Sequence, residues 1–592
     1  MRHPEQVFEH ARVSLRRGLQ GAIVVVIFAL LLSRCNRTAE LPEGDADNGG
    51  LALPEGFEAV VVVDSLPGRA RHIAVNDNGD IYVKSRFSDT TGRNVALRDT
   101  NGDGKADIIE KFGIYKDEHS YGTAMRVYNG YLYFSSELAV YRQKLIPGKL
   151  IPDATVEAVV IDDHAHRWHE HIAKPIAFDN KGHIYVPYGA PSNACQQINR
   201  TPSNPGQDPC PQLEDHGGVW RFDANKLGQT QKDGHRMATG IRSVVAIDWN
   251  PGDESLYLVM HGRDDLLRLW AQLFTPWQSA MLPAEEFLKI TDGADFGWPY
   301  CYYDQLQEKK VLAPEYGGDG KTVGRCDQFQ KPLTGFPGHW APNDLLFYQG
   351  NQFPERYRHG AFIAFHGATN RAPYPQSGYF ICFLPFENGA PTGQWEVFAD
   401  GFAGVDPIVN VSDAAYRPMG LSTGPDGSLY MADTEKGRIW RVMYKGDTAT
   451  FGTAQLAKME EHKKLSHIRT PDEVNDNLDK GRIVGGEKTF NIYCAACHQK
   501  DGKGASGRFP PLAGTDWVTG DKQRLIGILL KGLEGTIEVN GETYINAMPQ
   551  HSFLNDKDAA DVLTYIRSHF SNNVNAITPE EVAAVRGTLP AK

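Results

Sequence analysis

Ile73-Ala74-Val75-Asn76-Asp77-Asn78-Gly79-Asp80-Ile81-Tyr82-Val83 returns further along the chain as Ile176-Ala177-Phe178-Asp179-Asn180-Lys181-Gly182-His183-Ile184-Tyr185-Val186. Each phrase is an apolar strand, a turn rich in Asn, Asp and Gly, and a strand carrying an aliphatic–aromatic pair. The pattern recurs at residues 125–134, 247–258 and 421–431, and in a degenerate form at 357–364. Asn and Gly tolerate the positive φ of tight turns, so they mark hairpins when they lie between alternating strands. Six hairpin-centred units over residues 55–446 predict an all-β six-bladed β-propeller, in which radially repeated sheets shield one another's edges. A β-sandwich is the rival architecture, and repetition of a single phrase favours radial symmetry. Sixty glycines and 35 prolines in 592 residues suit such a turn-rich fold.

Downstream stands Cys494-Ala495-Ala496-Cys497-His498. This Cys-x-x-Cys-His spacing is the attachment signature of c-type haem: two thiols add to the porphyrin vinyl groups, and the adjacent histidine lies under the iron. A zinc site needs a second ligand pair, which is missing, and a redox pair would sit in a βαβ setting. Met548, the only methionine after the motif, is the expected second axial ligand, with His551 and His569 as rivals. A Met/His pair raises the reduction potential. Residues 479–493 and 556–570 carry helical spacing on either side of the motif. A helix into the haem motif, a methionine loop and a closing helix resemble the class I cytochrome c domain, an all-α C-terminal unit over residues 476–573.

Residues 1–35 read as an export signal, with basic residues Arg12, Arg16 and Arg17 ahead of an apolar run too short to span a bilayer comfortably. Cys35 resembles a lipoprotein acceptor cysteine, so a lipid anchor on the periplasmic side of a bacterial membrane is expected, although Arg34 departs from the small residue usual there. Residues 36–54 and 447–475 read as linkers and 574–592 as a tail, in which Thr578-Pro579-Glu580-Glu581 opens a short helix. Cys195 with Cys210, and Cys301 with Cys326, are expected to pair in an oxidising compartment. Cys382, in apolar surroundings, is expected to be a buried free thiol. A net charge of −12 argues against a nucleic-acid partner.

A haem at the end of an exported chain needs an electron source, and a propeller of ordinary side chains has none. Six motifs across residues 55–446 resemble the pyrroloquinoline quinone (PQQ) dependent sugar dehydrogenases, in particular the sorbosone and soluble aldose dehydrogenase branch. They are His171-Ile172-Ala173-Lys174-Pro175-Ile176-Ala177-Phe178, Gly240-Ile241-Arg242-Ser243, His261-Gly262-Arg263-Asp264, Phe296-Gly297-Trp298-Pro299-Tyr300, His366-Gly367-Ala368-Thr369-Asn370-Arg371 and Tyr416-Arg417-Pro418-Met419-Gly420. The resemblance implies PQQ as cofactor, His171 as the general base toward a sugar C1 hydroxyl, and Glu170 as its neighbour. It also implies a catalytic Ca²⁺ on the backbone carbonyls of Gly262 and Arg263. Arg242, Arg371 and Arg417, each near a strand end in a different blade, suit the carboxylates of PQQ because guanidinium pairs with them in a planar fork. Ser243 and the 366–369 loop depart from the glucose enzymes, so the sugar preference stays open.

A second calcium candidate is the stretch Asp99 to Glu110. Its oxygen ligands Asp99, Asn101, Asp103, Asp107 and Glu110 fall at EF-hand positions, with Gly104 at the sharp turn. The expected whole is a quinohaemoprotein dehydrogenase that oxidises an aldose or related sugar aldehyde with PQQ and passes electrons through haem c to a respiratory acceptor. The alternative is a binding or lactonase-type hydrolytic propeller fused to an electron-carrier cytochrome.

Overall fold

The computed structural model describes residues 41–589 apart from 90–91, 116–120, 165–168, 373, 472–485, 573 and 575. The export signal and the first part of the predicted helix at 479–493 lie outside the described residues. Among the described residues no helix is long and apolar enough to cross a membrane.

Six blade sheets follow one another along the chain, with their main strands falling in residues 70–112, 125–161, 177–239, 244–336, 342–399 and 418–444; the short strand Ala294–Asp295 joins the third sheet, and Cys301–Asp304 pairs with Lys309–Leu312 in a separate ribbon. The repeated phrase is the inner hairpin of a blade. In the second blade Met125–Tyr128 and Tyr131–Ser135 are joined by Asn129 and Gly130, both at positive φ (47° and 76°). Asn-Gly is chosen there because the turn that matches strand twist needs positive φ at both positions. The sixth blade is completed by the N-terminal strand Phe57–Val63, antiparallel to Ile439–Tyr444. The two ends of the propeller are thereby hydrogen-bonded together. The free edge of Phe57–Val63 is covered as well: Asp45 Oδ2 accepts from Val61 N (2.8 Å) and Asn48 Oδ1 from Ala59 N (3.0 Å). Phe57 sits edge-on to Phe353, Tyr357 and Phe398 at centroid separations of 4.8, 5.5 and 5.2 Å. Each such pair adds about 0.5–1.5 kcal/mol beyond burial.

Four of the innermost strands share one irregularity. Their register slips near the start, between Ala70 and Ile73, Val244 and Ala246, Pro342 and Asp344, and Pro418 and Leu421. Such bulges bend a strand and re-aim side chains beside functional sites. Inner strands of a propeller run alike, so their entrances, together with the exits of the second strands, open on one face.

The C-terminal domain is helical, with Gly486–Tyr493, Lys522–Lys531, Asp556–Ser568 and Pro579–Thr588 as its longer helices. It departs from an all-α unit in one place: Ile537–Val539 pairs with Glu542–Tyr544 across an Asn540-Gly541 turn. Thr578 caps the last helix as expected, accepting from Glu581 N (3.3 Å). Both disulfides, Cys195–Cys210 and Cys301–Cys326, are formed, and Cys382 is buried and free.

The segment between the domains is a fastened strap. Helix Thr453–His462 lies on the fifth blade, where Met459 and Ile468 join its core. His462 Nδ1 meets Asp400 Oδ2 at 2.6 Å and His467 Nε2 meets Asp400 Oδ1 at 3.0 Å. Burial opposes a charge on His467, but Asp400 and Asp406 outweigh it and push its pKa up to about 9. A folded-state pKa above the unfolded value means stabilisation that is complete below about pH 6.5, on the order of 3 kcal/mol, and lost as pH rises through 9. Hydrogen–deuterium exchange of the strap is therefore expected to accelerate between pH 7 and 9.5 at matched intrinsic rates. His467→Gln should flatten that rise; an equal rise in the variant would refute the ion pair's role.

Candidate functional site

The candidate catalytic groups gather at the shared face. His171 precedes the inner strand of the third blade, and its Nδ1 donates to Ala190 O (2.7 Å). That bond fixes the tautomer and leaves Nε2 as the acceptor. Glu170 Oε2 stands 3.9 Å from Nε2, but its carboxylate is gripped by Arg200 through Nε (2.9 Å) and Nη2 (2.7 Å). Burial, then the nearby Arg242 charge, hold the His171 pKa well below the ordinary histidine value. The imidazole is neutral and ready to take a proton.

Arg242 is buried at the entrance of the fourth inner strand. It donates to Asn193 O and Oδ1 (3.2 and 2.9 Å), Gly262 O (2.7 Å) and Asp264 Oδ2 (2.8 Å). Asp264 also accepts from Arg200 Nη2 (3.1 Å) and Asn370 Nδ2 (2.6 Å). Burial works against this carboxylate's charge, yet Arg242 and Arg200 keep its pKa far below the usual range. His171, Arg242, Asp264 and Asn370, from three blades, thus form one electrostatic unit.

Arg417 enters the sixth blade and binds the start of the same loop: its Nε donates to His366 O (3.2 Å), its Nη2 to His366 Nδ1 (2.8 Å) and Gly367 O. Arg71, in the bulge of the first blade, is buried; burial, then the charge of Arg86, lower its pKa to about 10, and Arg417 adds to the effect. Burial first and then Arg417, Arg71 and Arg86 also suppress protonation of His366. Arg71 and Arg86 were not singled out from the sequence. The available signal was register: an arginine stands just ahead of the inner-strand phrase in the first blade, as Arg242 and Arg417 do in theirs.

Arg371 differs. It is buried, but Nη2 turns to Met281 Sδ (3.7 Å) and Arg469 O of the strap (3.1 Å), while Nε and Nη1 have no hydrogen-bond partner. Among the described residues it shares no hydrogen bond with Arg242 or Arg417. It lies between the catalytic loop and the cytochrome domain.

The oxygens expected to hold calcium carry local hydrogen bonds. Gly262 O already accepts from the Arg242 guanidinium, and the Arg263 side chain turns away to Glu315. In the turn at 99–107 Asp99 accepts from Gly102 N (2.7 Å) and Gly104 N (2.8 Å), Asn101 Oδ1 from Asp103 N (2.9 Å), Asp103 from Lys105 N (2.8 Å), and Asp107 from Thr100 N (2.7 Å). Glu110 is exposed in the next strand, Ile108–Phe112. Among the described residues, the one set of three His, Cys or carboxylate ligand atoms within 4.8 Å of one another is Asp162, Asp163 and His164. Asp162 there is bonded to Lys174 Nζ at 2.5 Å.

The haem residues converge. Cys494, Cys497, His498 and Met548 all line one cavity of about 1280 Å³ out to its mouth. Neither cysteine is in a disulfide. His498 Nδ1 donates to Pro510 O (2.9 Å), which leaves Nε2 for iron. Met548 is held by a two-way backbone bridge to Leu533 (2.8 and 3.0 Å). His551 lines the cavity too, whereas His569 is exposed and donates back to Tyr565 O (2.9 Å), away from the site. Propeller residues Tyr374, Gln376 and Val409 complete the wall, and the Tyr374 ring meets Tyr493, next to Cys494, edge-on at 6.4 Å. The thiols, the freed imidazole nitrogen and the thioether fit a c-type haem.

Residues 51–445 match the family model described as TrAA12-like, and residues 483–570 match that of cytochrome c. Cytochrome c-552 of Thermus thermophilus is 38% identical over 110 residues, 17% of this chain and 83% of that protein. The fructose dehydrogenase cytochrome subunit of Gluconobacter japonicus is 34% identical over 118 residues, 19% of this chain and 24% of that one. The chain spans about half the length (48%) of an uncharacterized protein of Borreliella burgdorferi, 28% identical over 211 residues and 35% of this chain. The fold is shared with the PQQ domain of pyranose dehydrogenase from Coprinopsis cinerea, at 17% identity and a TM-score of 0.51, over 69% of this chain and 99% of that one.

Arg242 disfavours the imidazolium of His171, so Arg242→Gln should raise the His171 pKa. NMR titration of ¹³C-labelled histidine should show that resonance moving toward the ordinary value in the variant. An unmoved or lower pKa would mean that burial alone sets it.

Proposed function

The chain belongs to the TrAA12-like family, with a cytochrome c domain joined to its propeller, and on that premise we propose that it is an exported quinohaemoprotein dehydrogenase oxidising an aldose or related sugar aldehyde. The observation that carries this reading is the gathering of His171, Arg242, Arg71 and Arg417 at the entrances of the inner strands, beside a haem cavity whose wall is completed by propeller residues Tyr374, Gln376 and Val409. The positive cluster of buried Arg71 with half-buried Arg86 and Arg417 fits a polycarboxylated cofactor such as PQQ, because a desolvated guanidinium without enough counter-charge is costly. The pyranose dehydrogenase PQQ domain supports the same choice by its fold.

When bound, PQQ supplies a two-electron acceptor and haem c a one-electron carrier. In this reading Arg71, Arg86 and Arg417 hold the cofactor's carboxylates. His171 Nε2 takes the proton of the substrate hydroxyl, its ring oriented by Ala190 O and its neutrality kept by Arg242. Cys494, Cys497, His498 and Met548 hold the haem, from which electrons leave to a respiratory acceptor. A calcium ion would be held at the backbone carbonyls of Gly262 and Arg263, where Gly262 O keeps a second lone pair beside its bond from Arg242 and the ion would supply Lewis-acid chemistry. The two disulfides and the haem motif support a periplasmic setting, and the 1–35 segment supports export and membrane attachment.

The test is anaerobic mixing of haem-loaded protein with PQQ and a panel of aldoses and sugar aldehydes. At least one sugar should reduce the haem α band, only when PQQ is present, and His171→Gln should slow it by about 10²-fold or more. If dithionite reduces the haem but no sugar or aldehyde does in PQQ-loaded protein, the dehydrogenase reading fails and the hydrolytic alternative gains.

A further inference from the structure

The segment that carries Met548 is held from outside its own domain. Ala547 O accepts from propeller Asn410 Nδ2 (2.8 Å), and Asn546 Nδ2 donates to propeller Asp413 Oδ1 (2.9 Å). Asn546 Nδ2 is also 3.2 Å from Arg508 O, and Arg508 Nη2 crosses to Pro407 O (2.6 Å) and stands 3.4 Å from Asp413 Oδ2. The two residues before the axial methionine are thus both tied to one propeller turn.

That turn is rigid in its own right. Asp413 Oδ2 accepts from Val409 N (2.9 Å) and Asn410 N (3.0 Å), capping the turn Val411–Asp413, and the Asp413 side chain is buried. Asn410 and Asp413 therefore offer a pre-set pair of partners, one donor and one acceptor. On the other side Met548 is bridged to Leu533 of its own domain. A neutral thioether is a soft ligand whose hold on iron depends on how its loop is kept in place, and the partners of a metal's ligands tune affinity and potential. Axial methionine is also what raises the potential of a cytochrome c.

We propose that the propeller turn 409–413 is a clamp on the methionine loop, with Asn410 and Asp413 as positioning residues that keep Met548 on the iron. The haem's potential is then a property of the docked pair of domains, and the same contact that brings the haem to the catalytic face keeps it an electron acceptor. The inference rests on the haem reading above, with Met548 as axial ligand, and is independent of PQQ and of the sugar.

The experiment uses the full haem-loaded chain in the ferric state. Wild type should show the long-wavelength thioether-to-iron charge-transfer band and bind cyanide slowly, because cyanide must wait for Met548 to leave. Asn410→Ala, and Asn546→Ala from the other side of the interface, should each weaken the band and lower the midpoint potential. Each should speed cyanide binding about tenfold, the rate equivalent of about 1.4 kcal/mol. Asp413→Asn combined with Asn546→Ala should be no worse than the more affected single variant, since both remove one hydrogen bond. Absence of the band in wild type would overturn the Met548 assignment itself. A wild-type band with unchanged cyanide rate and potential in both Asn410→Ala and Asn546→Ala, at equal haem content, would overturn the clamp. Those two variants keep the test open even where Asp413→Asn disturbs its own turn.

Discussion

Closure of the ring is the constraint on which everything else rests. The strand Phe57–Val63 zips against Ile439–Tyr444, and Phe57 buries its ring among aromatic residues of the fifth blade. Once the circle is closed, the blades have no freedom to choose a direction, and every inner strand enters from one face. Residues far apart in sequence, such as Arg71, Arg242 and Arg417, are brought to one rim because each sits at the entrance of its own blade's inner strand, and His171 reaches it from the loop that leads into the third blade.

This explains what was legible in the chain and what was not. The hairpins could be read because positive φ demands Asn or Gly, and Asn129-Gly130 does so in plain sight. The Cys-x-x-Cys-His motif could be read because covalent attachment fixes its spacing. The bulges could not: a two-for-one mismatch between strands leaves no mark in composition, yet it turns Arg71 toward the cationic cluster. The Asn540-Gly541 hairpin carries the same turn signal as the blades, but its strands are only three residues each, too short to show alternation. Glu110 stands at the last EF-hand position and also in the strand Ile108–Phe112, which pairs with the strand before it, so sequence spacing there carries two readings at once.

The electrostatics of the rim follow from unequal pairing. Arg242 and Asp264 neutralise one another and, with Arg200 and Asn370, make a stiff frame whose residual positive field falls on His171. Arg71, Arg86 and Arg417 are less well matched, with Glu435 3.6 Å from Arg417 and Glu137 only acting on Arg71 at a distance. A frame that is paired and a cluster that is not have different effects. The first holds His171 neutral, and the second leaves desolvated positive charge with few counter-charges, which is costly in itself.

The strap decides where the haem can go. The chain leaves the closing seam at Tyr444 and reaches the catalytic face by residues 447–471, pinned along the way by His462 and His467 on Asp400 and by Trp277 Nε1 on Pro471 O (2.9 Å). A flexible tether of that length would let the cytochrome sample many positions and would lower the effective concentration of its docked form. Pinning the segment to the fifth blade removes most of that freedom before the interface forms. The interface then adds polar contacts clustered around Asp413, next to the loop that carries Met548, and the edge-on contact of Tyr374 with Tyr493. The division of labour is physical: the strap supplies proximity and the Asp413 turn supplies register. Neither would suffice alone, because proximity without register leaves the haem edge misaligned, and register without proximity is a weak surface contact.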